Sequence, residues 1–181
     1  MDGDTSTNDT LILLANGQSH LPVIQPATPE AHRFQSALDF VCMDLARAIA
    51  ADGEEATRLI RVTVRGAASL ADARRAARAV AASNLTKCAV HGADPNWGRI
   101  LCAVGYSGAQ VNPDLLECHI GDVLVVQNGT PTTFDHAAAR AALSGSEVAI
   151  AVDLHLGEHC ATAWGCDLTE GYVRFNSEYT T

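Results

Sequence analysis

The sequence predicts an α/β or α+β fold, a layered sandwich of sheets and helices. In the first half of the chain, amphipathic helical segments alternate with apolar segments typical of strands, and the second half is richer in strand patterns. The 181 residues are 48% hydrophobic and 18% charged, a balance typical of a globular protein with a sizeable core. Without repeats or low-complexity stretches, residues 1–181 are expected to form a single domain.

The N-terminal part is expected to contribute one strand and one long helix. The unbroken apolar run at residues 11–15 favours a buried strand. Thr28 followed by Pro29 is typical of a capped helix start, and an Asp-Gly pair at residues 52–53 predicts the end of that helix. Apolar side chains recur every three or four positions and predict one apolar face: Phe34, Leu38, Val41, Leu45 and Ile49.

A strand and a second helix follow. Residues 59–66 alternate apolar and polar side chains, which predicts a strand with one solvated face. Ser69 is the expected cap of an alanine-rich helix over residues 70–82. Its three arginines are expected on a solvated face: Arg74, Arg75 and Arg78.

The central segment, residues 87–105, combines a turn with a helix start. The apolar residues 88–90 predict a short strand, and Gly92 is expected to supply a backbone angle closed to other residues. After the turn, either Asp94 or Asn96 caps a helix over residues 97–104.

Two interpretations of this segment stay open from local chemistry. It is a structural turn with a buried Trp97, or a helix N-terminus whose Arg99 faces a carboxylate ligand or partner.

Two interpretations also apply to the acidic residues 52–55. They form a solvated connection, or they hold a carboxylate at the edge of a strand to bind a substrate ammonium group.

The second half predicts further strands. Residues 117–120 and 123–127 are typical of a hairpin. Asp135 is the expected cap of a short helix, and residues 148–154 and 161–166 predict two more strands. The tail is expected to start as a capped helical turn and to dock through its aromatic residues.

Charge and hydropathy exclude several function classes. Lys plus Arg number 12 against 21 Asp plus Glu, a net charge of −9, and the basic residues are scattered. We therefore expect no nucleic acid partner and no membrane association. No apolar run is long enough to span a membrane, and the polar, acidic start is unlike a signal peptide, so a cytoplasmic protein is expected.

The cysteines favour a reducing compartment. The six lie in apolar segments without a CxxC pair, which favours reduced, buried thiols: Cys42, Cys88, Cys102, Cys118, Cys160 and Cys166. His155 and His159 lie near two of them but without the spacing of a zinc site, so we expect no metal and no cofactor.

Four blocks carry a resemblance to a known family. They are residues 2–10, residues 52–60, the central Gly-Ala-Asp-Pro-Asn-Trp-Gly-Arg-Ile at residues 92–100, and the terminal residues 172–181. The second block is similar to the family pattern D-x-E-G-A-T-K-L-I. Together, and in this order, the blocks resemble the C-terminal (β) chain of ornithine acetyltransferase, the bifunctional glutamate N-acetyltransferase of arginine biosynthesis.

The resemblance implies a layered αββα-type sandwich of the DmpA/ornithine acetyltransferase-like fold, with mixed sheets flanked by helices. It implies a precursor that cuts itself before a threonine, which then carries the acetyl group of N-acetylornithine as an ester and passes it to glutamate. The α chain of the same precursor is the implied partner, in an α2β2 heterotetramer. By motif matching, the implied substrate contacts are Glu54, Asn176 and Thr181.

The chain departs from the family pattern in two respects. The implied nucleophilic threonine lies upstream of Met1, so no catalytic residue is assigned here, and Glu55 and Arg58 replace the family's glycine and lysine. We interpret the chain as an N-terminally truncated fragment, inactive in isolation. The alternatives are a non-catalytic amino-acid-binding or assembly module, and a related aminopeptidase or acyltransferase on the same scaffold.

Overall fold

The computed structural model describes residues 7, 8 and 10–178. Six strands lie within them: β1 (Leu59–Ala67), β2 (Glu117–Ile120), β3 (Val123–Gln127), β4 (Thr130–Pro131), β5 (Glu147–Asp153) and β6 (His159–Cys166). The α-helices of this part of the chain are α1 (Pro29–Ala51), α2 (Leu70–Ala82), α3 (Asn84–His91), α4 (Trp97–Tyr106), α5 (His136–Ala142) and α6 (Glu170–Glu178).

The strands form one mixed sheet in the order β4-β3-β2-β5-β1-β6. Strand β1 runs parallel to β5 and antiparallel to β6, with Val62 opposite Ile150 on one side and Ala163 on the other. Strands β2 and β3 form the expected antiparallel hairpin, and β2 also pairs with β5. A mixed sheet flanked by helices confirms the predicted fold class.

One face of the sheet forms the core with α2. The buried residues of β1 and β5 alternate along the strands: Ile60, Val62, Val64, Val148, Ile150 and Val152. Helix α2 contributes buried small side chains: Ala73, Ala76, Ala77, Val80 and Ala81. The helix approaches β6 so closely that a Cβ atom on Gly165 would lie 2.7 Å from the Ala81 carbonyl oxygen. Small residues on both elements therefore set the distance between helix and sheet.

The opposite face is more polar and meets the end of α1. Arg61 and Glu147 lie on this face because β1 and β5 run in register. The Nη2 of Arg47 on α1 donates to Glu147 Oε2 at 2.9 Å, and the Nε of Arg61 donates to Glu147 Oε1 at 3.1 Å. These contacts hold the C-terminal end of α1 to the sheet.

The predicted helix caps at four positions are confirmed. Thr28, Ser69 and Asn96 each accept a backbone N–H three residues on, and Asp135 accepts those of Ala137 and Ala138. The choice between Asp94 and Asn96 is thereby resolved in favour of Asn96. The expected bounds of α1 and α2 agree with the structure.

The strand predicted at residues 88–90 is wrong. These residues belong to α3, which starts at the cap Ser83, whose Oγ accepts the N–H of Thr86 at 3.3 Å. A run of three apolar residues fits either element, and the cap decides for the helix. Gly92 has φ −77°, so the left-handed angle is taken by Ala93 instead, with φ 48°.

The strand predicted at residues 11–15 is also wrong. This segment has no strand partner among the described residues, and its leucines stay exposed, Leu14 by 90%. The apolar face of α1 is uncovered as well, with Phe34 59% exposed and Ala50 the one buried residue of the helix. Apolar patterning predicted burial, but nothing in the described part of the chain covers these side chains.

All six cysteines are free, and the expectation that they are buried holds for only two. Cys118 and Cys166 are buried; the exposed ones are Cys42, Cys88, Cys102 and Cys160. Burial raises the pKa of the Cys118 thiol to about 12. Among the described residues, no helix combines the length and apolarity needed to cross a membrane.

Candidate functional site

Two of the three implied substrate contacts lie side by side. Asn176 on α6 and Glu54 before β1 are 122 residues apart in sequence, yet the Asn176 Nδ2 donates to Glu54 Oε2 at 2.8 Å. The same Nδ2 donates to the Tyr172 carbonyl oxygen at 3.0 Å, which fixes the amide on the helix. Both side chains are exposed. Thr181 lies outside the described residues, so its role stays a prediction.

A tight turn presents Glu54. Ala56 N–H donates to the Gly53 carbonyl at 3.0 Å, and Glu55 takes the left-handed conformation with φ 54°. Because L-residues pay a steric cost there, the glycine of the family pattern suits this position better than Glu55. Gly171 lies against the turn: a Cβ on it would come within 2.8 Å of Glu55 Oε2. Turn and helix α6 are therefore in close contact.

Asp167 anchors the chain that follows this turn. Its side chain is 0% exposed, and Oδ1 accepts the backbone N–H groups of Thr57 and Arg58 at 2.8 and 2.9 Å. Its Oδ2 accepts the Thr57 hydroxyl at 2.6 Å. Burial opposes ionisation, but the hydrogen bonds from Thr57, Arg58 and His91 outweigh it and hold the pKa of Asp167 below its usual value.

His91, the last residue of α3, lies between two carboxylates. Its Nδ1 is 3.0 Å from Asp167 Oδ2, and its Nε2 is 3.1 Å from Glu170 Oε2. Glu170 is the first residue of α6, and its pKa is lowered by its own backbone N–H and by His91. Arg58 Nη1 donates to the carbonyl oxygens of Val90 and His91, both at 2.6 Å. The guanidinium thus satisfies carbonyls at the end of α3.

The start of α6 is fixed by Thr169. Its hydroxyl donates to the Glu55 carbonyl at 3.0 Å, and its Oγ1 accepts the N–H of Tyr172 at 3.0 Å. The predicted capped turn at the tail is confirmed. Its docking is partial, because Thr169 is buried while Phe175 stays 42% exposed. The result is a helix held at its first turn with Asn176 further along it.

The residues that sequence analysis missed here are Asp167, His91, Thr57, Thr169 and Glu170. Asp167 and His91 are 76 residues apart, and no local pattern pairs them. One signal was present: an Asp directly after a predicted strand and before a predicted helix is a frequent cap or anchor.

Arg99 does not point to this site. Its Nη1 donates to the Leu85 carbonyl at 3.1 Å, and it lines a separate open pocket of about 350 Å³ with Ser83, Cys102 and Tyr106. Trp97 packs partly buried against the core. These contacts favour the structural interpretation of the central turn. His155, His159, Cys160 and Cys166 do not converge, since the described residues contain no group of three or more such side chains arranged for a metal.

The comparison with protein families is decisive: the ArgJ family matches residues 1–181, the whole length of the sequence. The chain belongs to the ArgJ family. It is 53% identical to the arginine biosynthesis bifunctional protein ArgJ of Symbiobacterium thermophilum, over 100% of this chain and 45% of that protein. It is 50% identical to the glutamate N-acetyltransferase of Methanopyrus kandleri, over 100% of this chain and 47% of that protein.

A solved ArgJ structure has the same fold. The crystal structure of the arginine biosynthesis bifunctional protein ArgJ from Bacillus halodurans matches with a TM-score of 0.92 and 45% identity. The match covers 98% of this chain and 84% of that chain. The chain spans less than half the length of the two ArgJ-family relatives named above.

Proposed function

We propose that this chain is the C-terminal (β) part of an acetyltransferase that moves an acetyl group from N-acetylornithine to glutamate through an acetyl-threonine intermediate. The observation that carries the proposal is the Glu54–Asn176 pair, which the fold assembles from distant segments in a member of the ArgJ family. The names of two relatives, an arginine biosynthesis bifunctional protein and a glutamate N-acetyltransferase, support this activity.

The pair suits an amino-acid substrate. The Glu54 carboxylate complements a substrate ammonium group, and the Asn176 amide complements a carboxylate or an amide. Glu54 now accepts a hydrogen bond from Asn176. A substrate ammonium would replace that donor at Glu54 and release the Asn176 N–H for the substrate. We propose Thr181 as the third contact.

The proposed chemistry uses a nucleophile that we place upstream of Met1. The hydroxyl oxygen of a threonine at the start of the β chain attacks the acetyl carbonyl, the carbon–nitrogen bond breaks, and ornithine leaves with the proton. The amine of glutamate then attacks the ester, and the threonine hydroxyl is restored. Glu54 and Asn176 bind and orient the two amino acids in turn.

Exposed apolar surface supports a partner chain. The arm, residues 10–24, and helix α1 expose large apolar side chains: Leu11, Ile12, Leu13, Leu14, Leu21, Val23, Ile24, Phe34, Phe40, Val41, Met43, Leu45 and Ile49. Exposed large apolar side chains in this number are typical of an interface. We propose that the α chain covers it, in an α2β2 heterotetramer in the cytoplasm.

The test is N-terminal sequencing with intact-mass measurement of the protein from its native cells, followed by an assay of acetyl transfer from N-acetylornithine to glutamate. We expect a β chain starting upstream with threonine, and transfer activity. Glu54→Gln should raise KM for N-acetylornithine, whereas Glu158→Gln, an exposed control, should not. A chain that starts at Met1 and binds amino acids without transfer would refute the proposal and favour a binding module.

A further inference from the structure

We propose that His91 is a positioning residue that holds Glu54 and Asn176 in the geometry that binds the amino-acid substrate. Its ring connects the two segments that carry these side chains, through Asp167 on one side and Glu170 on the other. The proposal rests on the proposed function for the identity of the substrate; the connection itself is a property of this chain.

The first connection leads to Glu54. His91 Nδ1 meets the Oδ2 of Asp167, whose Oδ1 accepts the backbone N–H groups of Thr57 and Arg58. Those groups follow directly after the turn that presents Glu54. The Asp167 side chain is fully enclosed, and the ring is one of the contacts that define its position.

The second connection leads to Asn176. His91 Nε2 meets Glu170 in the first turn of α6. Asn176 lies six residues further along the same continuous helix, about 9 Å at 1.5 Å per residue. A sideways movement of the first turn is therefore transmitted to Asn176 and alters its 2.8 Å contact with Glu54.

Histidine is well suited to this role. Both ring nitrogens lie within hydrogen-bond distance of carboxylate oxygens, so a single side chain contacts Asp167 and Glu170 at once. The backbone beneath the ring is fixed as well, because Arg58 Nη1 donates to the His91 carbonyl. The ring is 31% exposed, so it is neither fully solvated nor fully buried. Thr169 also joins α6 to the turn, so loss of His91 should loosen the site without dismantling it.

Three variants separate the two connections. In His91→Asn the amide nitrogen is attached to Cγ like Nδ1 and keeps a donor toward Asp167. In His91→Gln it lies one bond further out like Nε2 and keeps a donor toward Glu170. His91→Ala keeps neither. His159→Gln is the matched control, an exposed histidine at the start of β6.

Two readouts are needed. The first is amide hydrogen exchange of residues 170–178 by mass spectrometry on the chain itself, which does not depend on activity. The second is the split between KM and kcat for N-acetylornithine, measured on the protein expressed from its native gene with any associated chain retained.

We expect His91→Ala to accelerate exchange in α6 and to raise KM about five- to twentyfold with kcat within about threefold of wild type. His91→Asn and His91→Gln should give intermediate values, and His159→Gln should match wild type. The inference is overturned if α6 exchange and KM stay at wild-type values in all three variants, or if kcat alone falls. If the wild-type protein transfers no acetyl group, the proposed function fails separately, and unchanged exchange in α6 still refutes the role of His91.

Discussion

Removing the Asp167 carboxylate should destabilise the chain measurably. Asp167→Ala leaves two backbone donors, the N–H groups of Thr57 and Arg58, without their acceptor. An unsatisfied buried donor costs about 1–3 kcal/mol, and the half-buried position of these groups lets water compensate in part. We expect the free energy of unfolding to fall by about 2–4 kcal/mol.

Asp167→Asn is the informative partner variant. An amide oxygen in place of Oδ1 still accepts both backbone donors, while the amide nitrogen in place of Oδ2 meets the Thr57 hydroxyl and His91, which are able to accept. The loss is then the difference between a charged and a neutral acceptor, about 1 kcal/mol. Asp114→Ala, an exposed carboxylate, serves as the control and should change stability by less than about 0.5 kcal/mol.

Urea unfolding followed by tryptophan fluorescence measures these differences, since Trp97 and Trp164 both lie within the fold. The slope of free energy against urea should stay constant, which shows that the variants change stability and not compactness. A cost below about 1 kcal/mol for Asp167→Ala, or equal costs for Asp167→Ala and Asp167→Asn, would show that the backbone donors do not depend on this carboxylate.

Three further outcomes are expected. Because the pKa of Asp167 is lowered by folding, the stabilising effect of this carboxylate is complete above the ordinary pKa of 3.8 and is lost as the pH falls through the lower folded value. Acid unfolding of Asp167→Asn should lack this component. Identical acid unfolding curves for the variant and the wild type would contradict the prediction. Glu55→Gly removes a non-glycine residue from the left-handed conformation and should raise Tm by about 2–4 °C. Gly171→Ala should lower Tm, because the added Cβ would lie 3.0 Å from the Cβ of Glu55. Calorimetry that finds both variants equal to wild type would refute the close contact. The isolated chain should self-associate through α1 in sedimentation experiments, and Phe34→Ser with Val41→Ser should reduce association; a monomeric wild-type chain would count against an uncovered apolar face.

Sequence patterns predicted the elements whose signals are local. Helix α2 was predicted with its correct bounds because the Ser69 cap and the alanine-rich sequence after it are local signals. Residues 88–90 were misassigned because three apolar residues do not distinguish a strand from a helix, and the decisive cap, Ser83, lies outside that run. Residues 11–15 were misassigned because apolarity predicts burial but not which chain supplies the cover.

The same distinction between local signals and contacts formed on folding applies to the candidate site. Glu54 and Asn176 were selected through family motifs, which record chemistry at fixed positions. The residues that hold them, Asp167 and His91, are joined by contacts between distant segments that exist only after folding. Glu55 is the clearest example. The sequence shows that it replaces the family's glycine, but only the observed φ of 54° shows that the position favours glycine.

Helix α1 spans 23 residues and buries one of them, so its stability has a different source from that of the sheet and α2. The sheet and α2 contain a continuous core, so their stability is intrinsic and independent of protein concentration. In the proposed assembly, binding of the α chain adds free energy that keeps α1 and the arm in place, so their stability would depend on the concentration and affinity of that chain. Cleavage by a low dose of protease should therefore begin before residue 51 and slow as the partner is added, while the fragment that starts near β1 survives.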